Sequence, residues 1–181
     1  KIRVWDVATG QSIREFSGPP GAVLCIAFSP DGTRMAVGGG VSPARRDAQG
    51  TLKVFDGATW EELLSLRGHE GFVDAVAFSP DGTLLASTGV PRAPTFAMES
   101  DRTLRVWNAT TGEELYTHSA HSRGGRGVAW SQDGSRIFSV GMDGRLKAWP
   151  RTLPPEARVW QGYAGSVLRV VFSPDGKRIA S

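Results

Sequence analysis

One interval governs this chain. Aromatic residues sit at Trp5, Phe55, Trp107 and Trp149, in KIRVWD, TLKVFD, TLRVWN and RLKAWP, and 23 residues after each comes a second aromatic, at Phe28, Phe78, Trp130 and Phe172. The second aromatic opens the same reversal each time: FSPDG at 28–32, 78–82 and 172–176, and WSQDG at 130–134. The stretch from the reversal to the next aromatic varies, with 27 residues from Phe28 to Phe55, 29 from Phe78 to Trp107 and 19 from Trp130 to Trp149. A module of fixed length joined by an elastic segment is a repeated structural unit with insertions in its loops.

The third copy shows what the unit contains. GFVDAVAF (71–78) alternates around Val73, Val76 and Phe78 and reads as a strand. Pro80 presets φ at the second turn position, and Asp81 and Gly82 suit the later ones. TLLAST (83–88) and TLRVWN (103–108) follow as strands, then the turn ATTG and a fourth strand in EELYTH. No stretch holds a 3.6-residue period long enough for a helix. Four antiparallel strands per unit, repeated, imply an all-β stack such as the blades of a propeller.

Composition narrows the class further. Over 181 residues, 40% hydrophobic and 22% charged, with 23 Gly and 11 Pro, the chain is globular and rich in turns. No apolar run reaches the length of a bilayer span, so this stretch is not expected to enter a membrane, and its expected setting is cytoplasmic. Any membrane anchor of a longer parent protein would lie outside it. The single Cys25, in AVLCIAF, cannot form an internal disulfide and reads as a small core hydrophobe. A net charge of +3 does not call for a nucleic-acid partner. Three His and one Cys offer no zinc spacing, and GGG at 38–40 lacks the Lys and helix of a phosphate loop. Neither metal nor cofactor is expected. Lys1 opens inside KIRVWD and the last residues, KRIAS, end within a strand, so the stretch is expected to be a segment of a longer protein.

Taken together, the fixed offsets, the FSPDG reversals and the Trp-Asp strand ends resemble the WD40 repeat family, and the resemblance covers the chain apart from two insertions. It implies four-stranded antiparallel blades around a central channel. On that mapping residues 1–17 are strands c and d of a first blade, 18–67, 68–119 and 120–162 are complete blades, and 163–181 are strands a and b of a fifth. Propellers of this family often have seven blades, so a segment of a larger ring is expected. The alternative is closure of this stretch on itself, its first and last half-blades joining. FSPDG turns and ATGEEL connections look like bacterial members, which are often fused to Ser/Thr kinases, though no kinase motif is present here.

The family pattern also includes a hydrogen-bonded set of His, Ser or Thr, Asp and Trp within each blade. The third copy carries it as His69, Ser87, Asp101 and Trp107, the fourth as His121, Ser139, Asp143 and Trp149. Ser, His and Asp suggest a nucleophile, a base and its orienter. A catalytic site is normally built once, however, and these residues recur in one repeat frame, so the expected role is structural and no catalytic residue is assigned. The second copy lacks all four members: Pro19, Val37, Gln49 and Phe55 stand at their positions, with Asp47 nearby.

Function then belongs to what differs between copies. Two b–c connections carry about eight and ten extra residues relative to the shortest copy, GGGVSPARRDAQG (38–50) and GVPRAPTFAMES (89–100). The resemblance places b–c and d–a loops on one face, the top. Candidate partner-binding residues there are Arg45, Arg46, Arg92, Phe96 and Met98, with Arg123 and Arg126 from HSRGGRG. Asp74 and Arg126 share one column of the inner strands with Leu24 and Leu168, where an acid and a base on neighbouring blades could pair or line the channel rim. Arginine forks suit carboxylate and phosphate groups, so an acidic or phosphorylated protein or peptide is the partner expected. The expected function is a non-catalytic protein-interaction scaffold. The alternatives are a sensor propeller of a larger bacterial signalling protein, such as a Ser/Thr kinase, and an enzyme using the channel.

Overall fold

A computed structural model describes residues 1–40, 50–91, 101–152, 157–161 and 163–181. Among them every regular element is a strand. Strands β1 (Ile2–Trp5) and β2 (Ser12–Phe16) form a two-stranded sheet. Three four-stranded sheets follow: β3 (Ala22–Phe28), β4 (Arg34–Gly40), β5 (Gly50–Asp56) and β6 (Glu62–Leu66); β7 (Phe72–Phe78), β8 (Leu84–Val90), β9 (Thr103–Asn108) and β10 (Glu114–Ser119); and β11 (Gly125–Trp130), β12 (Arg136–Gly141), β13 (Arg145–Pro150) and β14 (Arg158–Gln161). A short pair, β15 (Val171–Phe172) and β16 (Ile179–Ala180), ends the chain. Each four-stranded sheet is an antiparallel meander, the all-β blade architecture expected from the repeats.

The reversals owe their shape to their own side chains. In FSPDG, Ser29 Oγ donates to Asp31 Oδ1 at 2.5 Å, while Asp31 Oδ1 accepts the Thr33 amide at 3.0 Å and Ser29 Oγ accepts the Arg34 amide at 2.9 Å. Those donors, the Ser29 hydroxyl first, hold the Asp31 carboxyl at about 2. Gly32 takes φ +71°, a left-handed backbone that a side chain would strain. The same Ser–Asp bond recurs at Ser79, Ser131 and Ser173. The second turn of the first two four-stranded blades is closed by Asp56 and Asn108, whose side-chain oxygen accepts the amides two and three residues on.

Blades stack face to face. Ile2 and Phe16 pack on Met35, Val37 and Phe55. Leu52, Val54 and Leu66 meet Val73, Val76, Phe78 and Trp107. Leu104 and Val106 meet Val128, Ile137 and Trp149, and Phe138, Val140 and Leu146 meet Val167, Val170 and Phe172. Leu24, Ile26 and Phe28, on the inner strand of the first four-stranded blade, remain exposed, while Val23 of the same strand packs with Ile2, Met35, Val37 and Phe55. Polar clamps tie neighbouring blades at the reversal end. Arg34 lies over the Phe78 ring and donates to Gly82 O and Ala109 O, each at 2.7 Å. Arg151 pairs with Asp81 at 2.7 Å, and Tyr116 donates to Arg151 O at 2.6 Å.

The inner strands share one irregularity. Their pairing register slips between Val23 and Cys25, between Val73 and Ala75, and between Gly125 and Gly127. The residues passed over are Leu24, Asp74 and Arg126. A bulge leaves its residue out of the ladder and re-aims its side chain, so each blade sends one side chain out of its sheet at the same level.

Candidate functional site

Two hydrogen-bonded chains run through the second and third four-stranded blades. In the first, Trp107 Nε1 donates to Ser87 Oγ at 2.9 Å, Ser87 Oγ lies 2.7 Å from His69 Nε2, and His69 Nδ1 lies 2.6 Å from Asp101 Oδ2. In the next, Trp149 Nε1 donates to Ser139 Oγ at 2.9 Å, and His121 lies 2.8 Å from both Ser139 Oγ and Asp143 Oδ1. The donor inventory fixes the direction. Indole N–H only donates and carboxylate only accepts, so each Ser accepts from Trp and each imidazole presents its Nδ1–H to Asp; with burial favouring the neutral ring of His121, Ser139 donates to its Nε2. The strands supply the placement: Ser87 pairs opposite Val76 and Ser139 opposite Val128, at one level of the blade.

Electrostatics agree with that direction. Burial pushes the Asp101 carboxyl up, but hydrogen bonds from His69 and Thr103 hold it well below the usual carboxylate range. Asp143 is held down in the same way, burial being outweighed by His121 and the Ser122 and Arg145 amides. Burial lowers His121 despite Asp143 beside it. Ser87 and Ser139 are 0% exposed. A hydroxyl with no surface, engaged on both sides, is placed to hold strands together and not to attack a substrate.

Sequence inspection passed over three supporting features. Thr103 Oγ1 donates to Asp101 Oδ1 at 2.6 Å. A Cβ at Gly89 would run into the Asp101 carboxyl, and one at Gly141 into the His121 ring. The signal was a Gly two residues after each network Ser. His118 stacks on Trp149 at 5.0 Å, an inter-blade contact with no signature in the repeat.

In the first four-stranded blade the corresponding interior is apolar. Pro19, Val37 and Phe55 are buried, Phe16 meets Phe55 edge-on at 5.4 Å, and Trp60 lies 5.8 Å from Phe16. Trp60 stands in DGATW where the other turns, DVATG and NATTG, carry Gly10 and Gly112, and it takes φ +65°. A left-handed backbone at a bulky residue is strained and is held there by packing.

Of the candidate binding residues, the structure brings Asp74 and Arg126 together: Arg126 Nη1 lies 3.3 Å from both Asp74 carboxylate oxygens, across the join of β7 and β11. Arg126 belongs to β11, so half of SRGGRG is strand and not loop. Arg123 lies in the turn before β11. Arg45, Arg46, Arg92, Phe96 and Met98, like Asp47 and Gln49, lie outside the described residues. Among the described residues no group of His, Cys, Asp and Glu could hold a metal, and no helix is long and apolar enough to cross a membrane. Cys25 Sγ donates to Val73 O at 3.5 Å, and burial, then the charge of Asp74, push its thiol up to about 12.

Residues 10–56, 60–108 and 112–150 match the family described as WD domain, G-beta repeat. The matching frame starts at the outer strand of one blade and ends at the third strand of the next, since 10–56 takes in β2 together with β3, β4 and β5. Each repeat therefore links two blades. Along its full length the chain is 27% identical to guanine nucleotide-binding protein subunit beta-2 of Nicotiana tabacum, covering 47% of it. Over 46% of the chain it is 31% identical to eukaryotic translation initiation factor 3 subunit I of Coccidioides immitis, covering 24% of that protein. Over 42% it is 36% identical to coronin-7 of Bos taurus, covering 8%. The chain spans about half or less of the length of these relatives. They are eukaryotic and lend the bacterial resemblance no support.

Proposed function

The chain belongs to the WD domain, G-beta repeat family, and from that premise we propose that it is a non-catalytic scaffold binding a protein or peptide partner. One observation carries this reading: both Trp–Ser–His–Asp chains are sealed inside blades, with Ser87 and Ser139 fully buried. The residues that most resemble chemistry are thereby committed to holding the scaffold. What is left for recognition is the end of each antiparallel blade that carries the b–c and d–a connections, since a rigid sheet tolerates insertions there. Arg45, Arg46, Arg92 and Arg123 are assigned to that end, with Phe96 and Met98 as apolar anchors, and the partner is acidic or phosphorylated. Relatives whose names describe subunits of larger assemblies support the reading. A cytoplasmic setting goes with the single, unpaired Cys25.

The test is affinity for the partner that co-purifies with the full-length protein. Arg45→Ser with Arg46→Ser should weaken binding, and the loss should shrink with added salt, since exposed charges are screened over about 8–10 Å at physiological ionic strength. Glu61→Lys and Glu113→Lys, exposed in turns at the opposite end of the blades, should leave affinity unchanged. If the turn variants lose binding and the loop variants keep it, the recognition face is the other one.

A further inference from the structure

Strands β3, β7 and β11 and residues 169–170 border an open pocket of about 310 Å³, within the size range of small-molecule sites. Leu24, Ile26, Val76 and Val170 give it apolar walls, and Asp74 and Arg169 line it as charged groups. The two charges are not equivalent. Asp74 has its counter-ion, since Arg126 reaches both of its oxygens. Arg169 has none among the described residues: it donates through Nη1 to the carbonyls of Arg126 and Leu168, which leaves Nε and Nη2 without an acceptor. Arg126 Nε is likewise buried without a partner. The cavity therefore holds one acid, already matched, and one unmatched guanidinium. An open pocket that sets aliphatic side chains beside an exposed guanidinium with open N–H groups fits an aliphatic body ending in one negative charge.

We propose that this channel cavity, apart from the loops assigned above, binds a small aliphatic carboxylate, either free or as the C-terminal residue of a polypeptide. The carboxylate lies against the open N–H groups of Arg169, and the aliphatic part replaces water along Leu24, Ile26 and Val76. The Asp74–Arg126 pair sets selectivity: its carboxylate repels a second negative charge, so monoanions are preferred over dianions.

The chain carries its own reporter, because Cys25 is its sole cysteine and lines the same cavity. Hexanoate, hexan-1-ol, hexylamine and adipate are compared by saturation-transfer NMR and by the rate of Cys25 alkylation with N-ethylmaleimide. Hexanoate should bind and slow alkylation, and the amine and the diacid should do neither. Arg169→Gln, at an exposed position, should lower hexanoate affinity at least tenfold while leaving the thermal midpoint unchanged. Ile26→Asp, which puts a carboxylate on the wall, should weaken hexanoate and leave hexan-1-ol less affected. Ala-Ala-Leu with a free C-terminus, compared with its amide, separates the two sources. Tighter binding of the peptide acid than of hexanoate assigns a polypeptide terminus, and the reverse assigns a free carboxylate. Equal binding of hexanoate and hexylamine, hexanoate affinity unchanged in Arg169→Gln, or Cys25 alkylation indifferent to hexanoate overturns the proposal.

Discussion

Where β8 and β12 carry Ser87 and Ser139, β4 carries Val37; where β9 and β13 carry Trp107 and Trp149, β5 carries Phe55; where the other two blades bury His69 and His121, Pro19 lies buried instead. Three blades of one backbone plan thus have two kinds of interior, one held by a directed chain of hydrogen bonds, one by aromatic and aliphatic packing that reaches out to Phe16 and Trp60. At the His, Ser and Trp positions no blade mixes the two kinds. Each link of the chain satisfies its neighbour, and a buried polar group left without a partner costs about 1–3 kcal/mol. Partial sets are therefore the expensive ones, and replacing every partner by apolar groups of fitting shape is close to neutral. The apolar blade has a cost of its own. Trp60 occupies a left-handed turn position that glycine fills elsewhere, an arrangement worth about 1–3 kcal/mol of strain.

Single substitutions can break this comparison. The largest effect is expected from His69→Ala, which leaves the Asp101 carboxylate buried with only Thr103 and Gly71 as donors. Loss of one partner of a buried pair costs about 3–5 kcal/mol, and a urea midpoint unchanged within error would refute the network. Val37→Ser is the converse, placing one hydroxyl in the apolar blade with no network around it. It should cost about 2–3 kcal/mol from lost apolar burial and an unpaired hydroxyl, and a neutral result would show that blade to be adaptable. Trp149→Phe should cost about 1–2 kcal/mol through the lost indole donor. The analogous Trp107→Phe should become cheaper when combined with Ser87→Val, the coupling being about 1 kcal/mol.

Acidity separates the two kinds of blade more gently. The folded His121 titrates below its ordinary 6.5, burial being the chief cause. The unfolded chain then takes the proton first, so the His121 contribution is full above about pH 6.5 and is lost as pH falls toward the folded value. Asp101 and Asp143, held below their ordinary 3.8, extend the loss below that pH. The apolar blade has no such groups at these positions. Residue-resolved NMR titration should show the His121 ring protonating below pH 6.5, and an inflection above 6.5 would reverse the sign. The smallest effect is expected at Arg45 and Arg46. Both changed to Ser should move stability by no more than about 0.5 kcal/mol, because they fall in an insertion of the sequence outside the repeated module, and substitutions that touch no packed feature stay within that range.

The 23-residue interval made the blades legible because it fixes two strand ends and a reversal by chain length alone. The network residues were legible because each blade carries its own set, at offsets written along one stretch of chain. Of the contacts that join separate blades, the Asp74–Arg126 pair was legible from its shared column, and others were not. Arg34 bridging to Gly82 and Ala109, Arg151 to Asp81, and His118 stacking on Trp149 depend on which faces meet after the blades stack. Arg169 gave no sign either, since its place beside the cavity follows from the approach of residues 168–170 to β3, β7 and β11. The column Leu24, Asp74, Arg126 and Leu168 was visible as an alignment, but the bulge that turns its first three members out of the sheet is a matter of backbone register.

That bulge has a consequence for how such molecules diversify. A residue left out of the ladder contributes little to strand pairing, so it can be exchanged without re-registering the strand behind it. Each blade thus offers one interchangeable letter at a common height, and a ring of blades spells a short word around its axis. Here three successive letters read Leu, Asp, Arg. A library randomised at those three positions alone would rewrite the word while leaving the blades that display it intact.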